Sequence, residues 1–218
     1  MGGGKLFASL AGMPVVLRTL IALEESSHIN EIVVVSRQED MLAFWDMAKE
    51  SGLRKMTQVV PGGETRQLSV FAGINAADPR AEYYAIHDGA RPMADPSYID
   101  KVVEDAVSHG AAAPGVAAKD TLKLRDENGF IAETPDRSRL FAIQTPQVFK
   151  ADLYRHAMGV ALQEGADFTD DCQLFEHIGQ KVFISQGSYT NIKITTPEDL
   201  ILAGALLEEK QYADRLWL

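Results

Sequence analysis

Short apolar runs alternate along the chain with longer segments in which apolar residues recur every three or four positions. The runs at 31–36, 57–60 and 82–88 are rich in Val, Ile and Tyr, which is typical of buried strands. Strands that alternate with helices favour a parallel sheet joined by right-handed crossovers. The segments with helical spacing in this half begin near Pro14 and lie at 38–51, 64–77 and 96–109.

A charged stretch at 119–149 interrupts this alternation. Two short β-like runs flank Asn128-Gly129, a pair that favours a two-residue hairpin turn. Because the stretch holds few large apolar residues, it cannot build its own core and must lie on the domain or reach a partner chain. The rest of the chain is predicted as helices at 150–163 and 169–179, strands at 181–185 and 191–195, and a final helix from Pro197.

Three loops follow directly after predicted strands, at 36–37, 61–64 and 88–91. In open parallel sheets, ligands bind in the crevice beyond the carboxyl ends of the strands. We therefore expect these loops to line one crevice.

Composition narrows the class of ligand. The 218 residues are 46% hydrophobic and 24% charged, with a net charge of -10, which argues against nucleic acids and anionic membranes as partners. No apolar run reaches the length of a membrane span, and no secretory signal pattern opens the chain. Cys172 is the only cysteine, so an intrachain disulfide is excluded and a reducing cytoplasm is expected. A phosphate ligand would need clustered cations and a metal ion.

The opening "MGGGK" places three glycines before Lys5 and a helix. Backbone N–H groups of such a loop can bind phosphate, although a flexible glycine-rich terminus has the same pattern. Asp88 ends a strand and is suited to Mg²⁺ or a ribose, with Gly89 leaving room for the ligand. A capped turn with a surface pair between Asp88 and Arg91 is the alternative.

Three further stretches each have a functional and a purely structural interpretation. Gly63, Glu64 and Ser69 are suited to hydrogen-bond the edge of a pyrimidine base. The structural alternative is a turn before a helix, with Glu64 in the first helical turn. Thr169 fits a helix N-cap, and Lys193 fits a solvated strand position. No nucleophile elbow, histidine metal spacing or dinucleotide fingerprint is present. His87 is expected to be a packed core residue.

Taken in order, these blocks resemble the 2-C-methyl-D-erythritol 4-phosphate cytidylyltransferases of isoprenoid precursor synthesis. The resemblance runs from Met1 to about Leu207. Its strongest parts are "GGETRQLSV", "HDGARP", "KDTLK", "DRSRLFAIQTPQVF", "GADFTDD" and "NIKITTPEDL".

The resemblance implies a Rossmann-like α/β nucleotidyltransferase domain, a three-layer sandwich with a mostly parallel sheet. A β-arm at about 119–142 would mediate a homodimer. The implied reaction joins CTP and methylerythritol phosphate, with Mg²⁺, to give CDP-methylerythritol and diphosphate. Asp88 would contact ribose and Mg²⁺, and the other implied site residues are catalytic Lys5, Lys193 and Arg137, and substrate-binding Gly63, Glu64, Ser69, Gly89, Arg91, Thr121 and Thr169.

The sequence departs from the family pattern at its start. Members begin with a strand that feeds the glycine-rich loop, and an arginine precedes their Met-Gly, whereas Met1-Gly2 opens this sequence. We therefore expect a single domain over 1–218 that lacks this strand, half of the loop and the arginine. The family often has Pro-Lys-Gln where this chain has Gly4-Lys5-Leu6.

Two other functions stay open from the sequence. A relative that uses ribitol 5-phosphate would share most of these blocks. The incomplete loop also fits a nucleotide-binding or scaffolding homologue without catalytic activity.

Overall fold

The structure is a computed structural model that describes residues 3–216, with side chains described through residue 209. The helices are α1 Val15–Glu25, α2 Met41–Ser51, α3 Arg66–Ala76, α4 Pro96–His109, α5 Ala151–Glu164, α6 Asp171–His177 and α7 Pro197–Leu216. The strands are β1 Ser9–Leu10, β2 Met13–Pro14, β3 Ile32–Ser36, β4 Met56–Pro61, β5 Tyr83–Ile86, β6 Ala111–Ala117, β7 Leu124–Arg125, β8 Ile131–Glu133, β9 Phe141–Ile143, β10 Gln147–Lys150 and β11 Phe183–Gln186.

The main sheet has the strand order β11-β6-β10-β5, and β9 also pairs with β6. β10 runs antiparallel to both of its neighbours, whereas β11 is parallel to β6, so β5, β6 and β11 share one direction. β3 and β4 form a separate parallel pair. The predicted α/β architecture with a mostly parallel sheet is confirmed.

α4 shows how the local sequence sets the helix ends. The carboxylate of Asp95 accepts a hydrogen bond from the amide of Tyr98 at 3.1 Å, and Pro96 occupies the first turn. Gly110 ends the helix with φ +88°, a conformation that glycine adopts without strain. The buried face of the helix, which includes Ile99 and Val102, packs on the sheet.

β10 is a strand that the sequence analysis missed, because its four residues lie next to a helix pattern. Its Phe149 is fully buried, with its ring 5.2 Å from that of Tyr154 and 4.6 Å from that of Phe175. The predicted strand at 191–195 is wrong: this segment is irregular and is held by single contacts such as Ile194 N–H to the Ala90 carbonyl at 2.8 Å.

The predicted arm is present as the antiparallel pair β7–β8, followed by β9, which returns to β6. Its turn is longer than the predicted two residues, because the amide of Asp126 donates to the carbonyl of Phe130 and the bond encloses three residues, 127–129. Gly129 in this loop has φ +93°. Nearly every residue from Lys119 to Arg139 is exposed, so the arm has no core of its own.

A cavity of ≈ 1570 Å³, which we call the slot, separates β3 from β5. Within the described residues, β3 pairs only with β4 and β5 pairs only with β10, so each strand has one edge without a ladder. Apolar side chains of α3, including Val70 and Ile74, and of α4, including Val103 and Val107, line the slot. We therefore expect that a further extended strand would fit between these two open edges, against the helices that line the slot.

We expect an eight-residue peptide of alternating Val and Ile, with terminal lysines for solubility, to bind in the slot. Such a peptide offers backbone groups to both open edges and apolar side chains to the helices. At saturating concentration it should raise the melting temperature by several degrees, as measured by differential scanning fluorimetry. A peptide of equal composition with two central prolines cannot donate the ladder bonds and should have no effect. Equal shifts from both peptides would contradict the prediction.

Candidate active site

The loops at the carboxyl ends of β3, β4 and β5 meet at one end of the slot. Lys5, Gly63, Ser69, Asp88 and Gly89 all line this opening. The prediction that these loops share one crevice is therefore confirmed for the carboxyl ends of all three strands, since Ser36 and Arg37 also line it.

Asp88 lies at the centre of the crevice. Its Oδ2 is 3.0 Å from Nζ of Lys193 and 3.4 Å from Nε of Arg91. Burial of the carboxyl opposes ionisation, but the nearby charges of Lys193 and then Arg91 dominate and hold the pKa of Asp88 below its ordinary value. Asp88 is therefore a carboxylate at neutral pH, and the expected pairing of Asp88 with Arg91 exists together with a second ion pair.

Lys193 reaches Asp88 because its irregular segment is fastened to the sheet. The Arg91 guanidinium donates to the Asn191 carbonyl at 2.8 Å, and the Asn191 amide donates to the Tyr98 hydroxyl at 3.0 Å. Gln144 donates to the Ser188 carbonyl at 2.7 Å. These contacts, rather than a strand ladder, fix the position of Lys193.

The glycine-rich turn before α3 is tightly built. A Cβ at Gly63 would lie 2.5 Å from the Cβ of Leu68, so only glycine fits there. The Ser69 hydroxyl accepts from the Gly63 amide at 3.1 Å and donates to the Thr65 carbonyl at 2.9 Å. Glu64 is exposed at this rim. The hydroxyl that the sequence suggested for base reading is therefore occupied by bonds within its own turn.

Lys5 closes a short 3-10 turn, Gly3–Lys5, at the other side of the opening. The following β1–β2 hairpin is fastened to α1, because the Arg18 guanidinium donates to the Leu10 carbonyl at 2.9 Å. The loop after β5 is fastened to the same helix through the Thr19 hydroxyl, which donates to the Gly89 carbonyl at 3.0 Å. α1 therefore sets the spacing between Lys5 and Gly89.

Thr169 lies on the exposed loop before α6 and contacts Gln173, which accepts from its amide at 3.1 Å and from its hydroxyl at 3.2 Å. Its prediction as N-cap is wrong, because Asp170 accepts the amides of Cys172 and Gln173 instead. Sequence reasoning also missed Arg66, which lines the crevice and lies within the "GGETRQLSV" block.

Thr121 and Arg137 stand apart from the crevice within this one chain. Both are exposed on the arm, and the Arg137 guanidinium donates to the carbonyl of Lys119 at 2.9 Å. Neither forms a hydrogen bond or ion pair with a described crevice residue. The roles that the resemblance gives Thr121 and Arg137 would require the arm of one subunit to reach the crevice of another.

Few described side chains at the site could serve as ligands for a divalent cation. Within the described residues, no cluster of three or more His, Cys, Asp or Glu side chains is arranged to hold a metal. Both ion pairs of Asp88 use Oδ2, which leaves Oδ1 available as a ligand. This fits Mg²⁺, which commonly binds one or two carboxylates and takes its other ligands from substrate phosphates and water.

His87 is half-buried beside Asp88, and its Nδ1 lies 2.8 Å from the Thr145 hydroxyl. Burial lowers its pKa from 6.5 to about 4, against a smaller raising effect of Asp88 and with a lowering effect of Arg91. The imidazole is therefore neutral at physiological pH. The predicted packed core histidine is therefore wrong in part, because His87 is only half-buried and lines the slot.

An α/β sheet whose strand-end crevice is lined by Lys5, Arg66 and Asp88 is suited to a nucleotide, and the family match below makes the chain a nucleotidyltransferase. The sequence profile of the 2-C-methyl-D-erythritol 4-phosphate cytidylyltransferases matches residues 1–209. The chain belongs to this family.

Relatives and solved structures agree with this assignment. The cytidylyltransferase of this name from Caldanaerobacter subterraneus is 44% identical over 94% of this chain and 91% of its own, and that from Bacillus licheniformis is 42% identical over 96% and 90%. The 4-diphosphocytidyl-2C-methyl-D-erythritol synthase structure from Anaerococcus prevotii superposes with a TM-score of 0.87 at 34% identity over 95% and 94%. The Thermus thermophilus cytidylyltransferase gives 0.79 at 31% identity over 95% of both chains. The Rossmann-like fold class is thereby confirmed.

We expect His87 to make the protein less stable at acidic pH. Its folded pKa lies below its ordinary value, so the unfolded chain binds a proton first, and stability falls as pH drops from 6.5 towards 4. The difference corresponds to about 3 kcal/mol. Urea unfolding across this range should show a shallower pH dependence for His87→Gln than for the unmodified chain.

The exposed His156→Gln on α5 is the matched control and should keep the original pH dependence. An unchanged slope for His87→Gln would show that His87 is not the group responsible.

Proposed function

We propose that this protein transfers the cytidylyl group of CTP to 2-C-methyl-D-erythritol 4-phosphate, releasing diphosphate. The observation that carries the proposal is the pairing of Asp88, which lines the slot together with Lys5 and the glycine turn, with Lys193 at 3.0 Å and Arg91 at 3.4 Å. The family membership supports the same substrates, and no described helix is both long and apolar enough to cross a bilayer. We place the reaction in the cytoplasm, in keeping with a single, buried free cysteine.

The reaction requires the protein to position the two substrates and neutralise charge, and it does not require a nucleophilic side chain. A phosphate oxygen of the alcohol phosphate attacks the α-phosphorus in line, and the bond to diphosphate breaks. Lys5 and Lys193 would neutralise charge that builds on the α-phosphate, while the turn at Gly63 and Glu64 holds the cytosine. Asp88 and Gly89 would hold the ribose, with Arg91 orienting Asp88. Thr169 would bind the alcohol phosphate.

Mg²⁺ would be held through Oδ1 of Asp88 and, when bound, would neutralise phosphate charge. The net charge of -10 makes such local neutralisation necessary, because the overall field repels a triphosphate. Lys193 and Arg91 keep Asp88 ionised and so preserve its capacity as a ligand.

We also infer a single domain that a further strand in the slot completes. The support is the slot itself: two open strand edges face it, and the buried Nε2 of His87, which lines it, has no hydrogen-bond partner. A seated strand would supply the missing ladders and bring its carboxyl end near Lys5, at the crevice.

The arm supports a homodimer in which each subunit completes the other's site. It concentrates exposed large apolar side chains on a short stretch, with Leu124 52%, Phe130 71% and Ile131 67% accessible, and this concentration fits contact with a partner. Thr121 and Arg137 lie on the same arm. In a two-fold dimer each arm would bring these two residues to the partner's crevice, where Arg137 would bind the alcohol phosphate.

Diphosphate release tests the reaction directly. With CTP and Mg²⁺, methylerythritol phosphate should support turnover and ribitol 5-phosphate should not, as measured by a coupled pyrophosphatase assay. Turnover with ribitol 5-phosphate alone would identify the other alcohol as substrate. CTP binding by calorimetry without turnover of either alcohol would favour a catalytically inactive nucleotide-binding protein.

Mixed dimers test the arm. Lys193→Ala and Arg137→Glu should each reduce turnover by at least about 100-fold, with much smaller loss of CTP affinity. If arms cross between subunits, an equal mixture that is dissociated and reassociated should regain about a quarter of normal activity, because half the dimers then hold one intact site. A mixture as inactive as its components would place Arg137 in its own subunit's site.

A further inference from the structure

The beginning of α3 is fastened to the loop that precedes α6 by a set of polar contacts, which we call the clamp. The buried Gln67 donates from Nε2 to the Ala166 carbonyl at 2.9 Å, and its Oε1 accepts from the Phe168 amide at 3.0 Å. The Thr65 hydroxyl donates to the Asp167 carboxylate at 2.9 Å. Two of these bonds end on the loop backbone, so they fix its path rather than one side chain.

The clamp also includes an ion pair between Arg66 and Asp171, the first residue of α6. The Arg66 guanidinium lies 2.5 Å from Oδ2 of Asp171, whose side chain is 1% exposed. The Tyr154 hydroxyl donates to Oδ1 of the same carboxylate at 2.5 Å, and burial followed by this neighbour raises the pKa of Tyr154. Because both oxygens of a buried carboxylate are paired, loss of either partner would leave charge uncompensated.

The clamp joins the two segments that carry different substrates. On one side lies the turn with Gly63 and Ser69, and on the other lies the loop with Thr169. The turn is also held by its own internal bonds and by α3, whereas the loop before α6 is exposed around Thr169. Loosening the clamp therefore moves the loop more than the turn.

We propose that Gln67 and the Arg66–Asp171 pair are positioning residues that set the distance between the alcohol phosphate and the cytidine triphosphate. This inference rests on the proposed function. Gln67 is buried, so it acts through the loop and not on substrate. In-line transfer between two bound substrates depends steeply on their separation, so a small displacement of Thr169 lowers the rate strongly.

Gln67→Leu removes both loop bonds at nearly constant volume. We expect the KM for methylerythritol phosphate to rise about tenfold and kcat to fall, while the KM for CTP changes less than about threefold. Arg66→Lys, which keeps a cation for Asp171, should retain most of the affinity that Arg66→Met loses. Asp167→Ala removes only the contact with Thr65 and replaces an exposed side chain. It should raise the KM for methylerythritol phosphate as well, but by less.

Ser26→Ala is the matched control, since it removes a buried hydroxyl that bonds to Asp100 outside the clamp. It should lower the melting temperature without changing the ratio of the two KM values. Equal rises of both KM values in Gln67→Leu, or the same ratio in Ser26→Ala, would overturn the proposal.

Hydrogen exchange separates this inference from the proposed function. Amides at 166–170 should exchange faster in Gln67→Leu than in the unmodified protein, whether or not the unmodified protein turns over. Absent turnover in the unmodified protein would count against the proposed function. Unchanged exchange at these amides would count against the clamp.

Discussion

Asp88 and Lys193 lie far apart in the chain, and their contact at 3.0 Å requires that several elements be correctly placed. β5 ends just before Asp88, and the segment that carries Lys193 is held to the main sheet through Arg91 and Asn191. Because the segment has no ladder of its own, Lys193 depends on these side-chain contacts. The pair keeps a carboxylate and an ammonium side by side, which is the arrangement on which the proposed binding of a phosphate and a metal ion depends.

The electrostatics of the molecule follow from that constraint. A net charge of -10 leaves the overall field unfavourable to a triphosphate. The charges of Lys193, Arg91 and Arg66 all lower the pKa of Asp88, and Lys5 lines the same slot as this carboxylate. Cations therefore gather at the strand ends within an acidic chain, so the proposed anionic ligand would meet positive charge that is local rather than general.

Much of this arrangement could be predicted from sequence because it follows from local patterns. Alternating strands and helices gave the sheet, and the rule for strand ends placed Gly63 and Asp88 in one crevice. β10 was missed because four residues beside a helix carry little periodicity. The alternation of Ile192 and Ile194 favours a strand at 191–195, although isolated backbone and side-chain contacts hold the segment. The contacts of Gln67 and Asp171 join distant residues, so no local pattern reports them.

The slot between β3 and β5 connects the sheet to the crevice, because Lys5 and Asp88 both lie at its end. The proposed function requires that Lys5, Lys193 and Asp88 act on one nucleotide. A crystal structure with CTP and Mg²⁺ is the most direct measurement. We expect the α-phosphate to lie beside Lys193 and Asp88, with cytosine against the turn at Gly63. A triphosphate bound elsewhere, with Lys193 still paired only to Asp88, would contradict it.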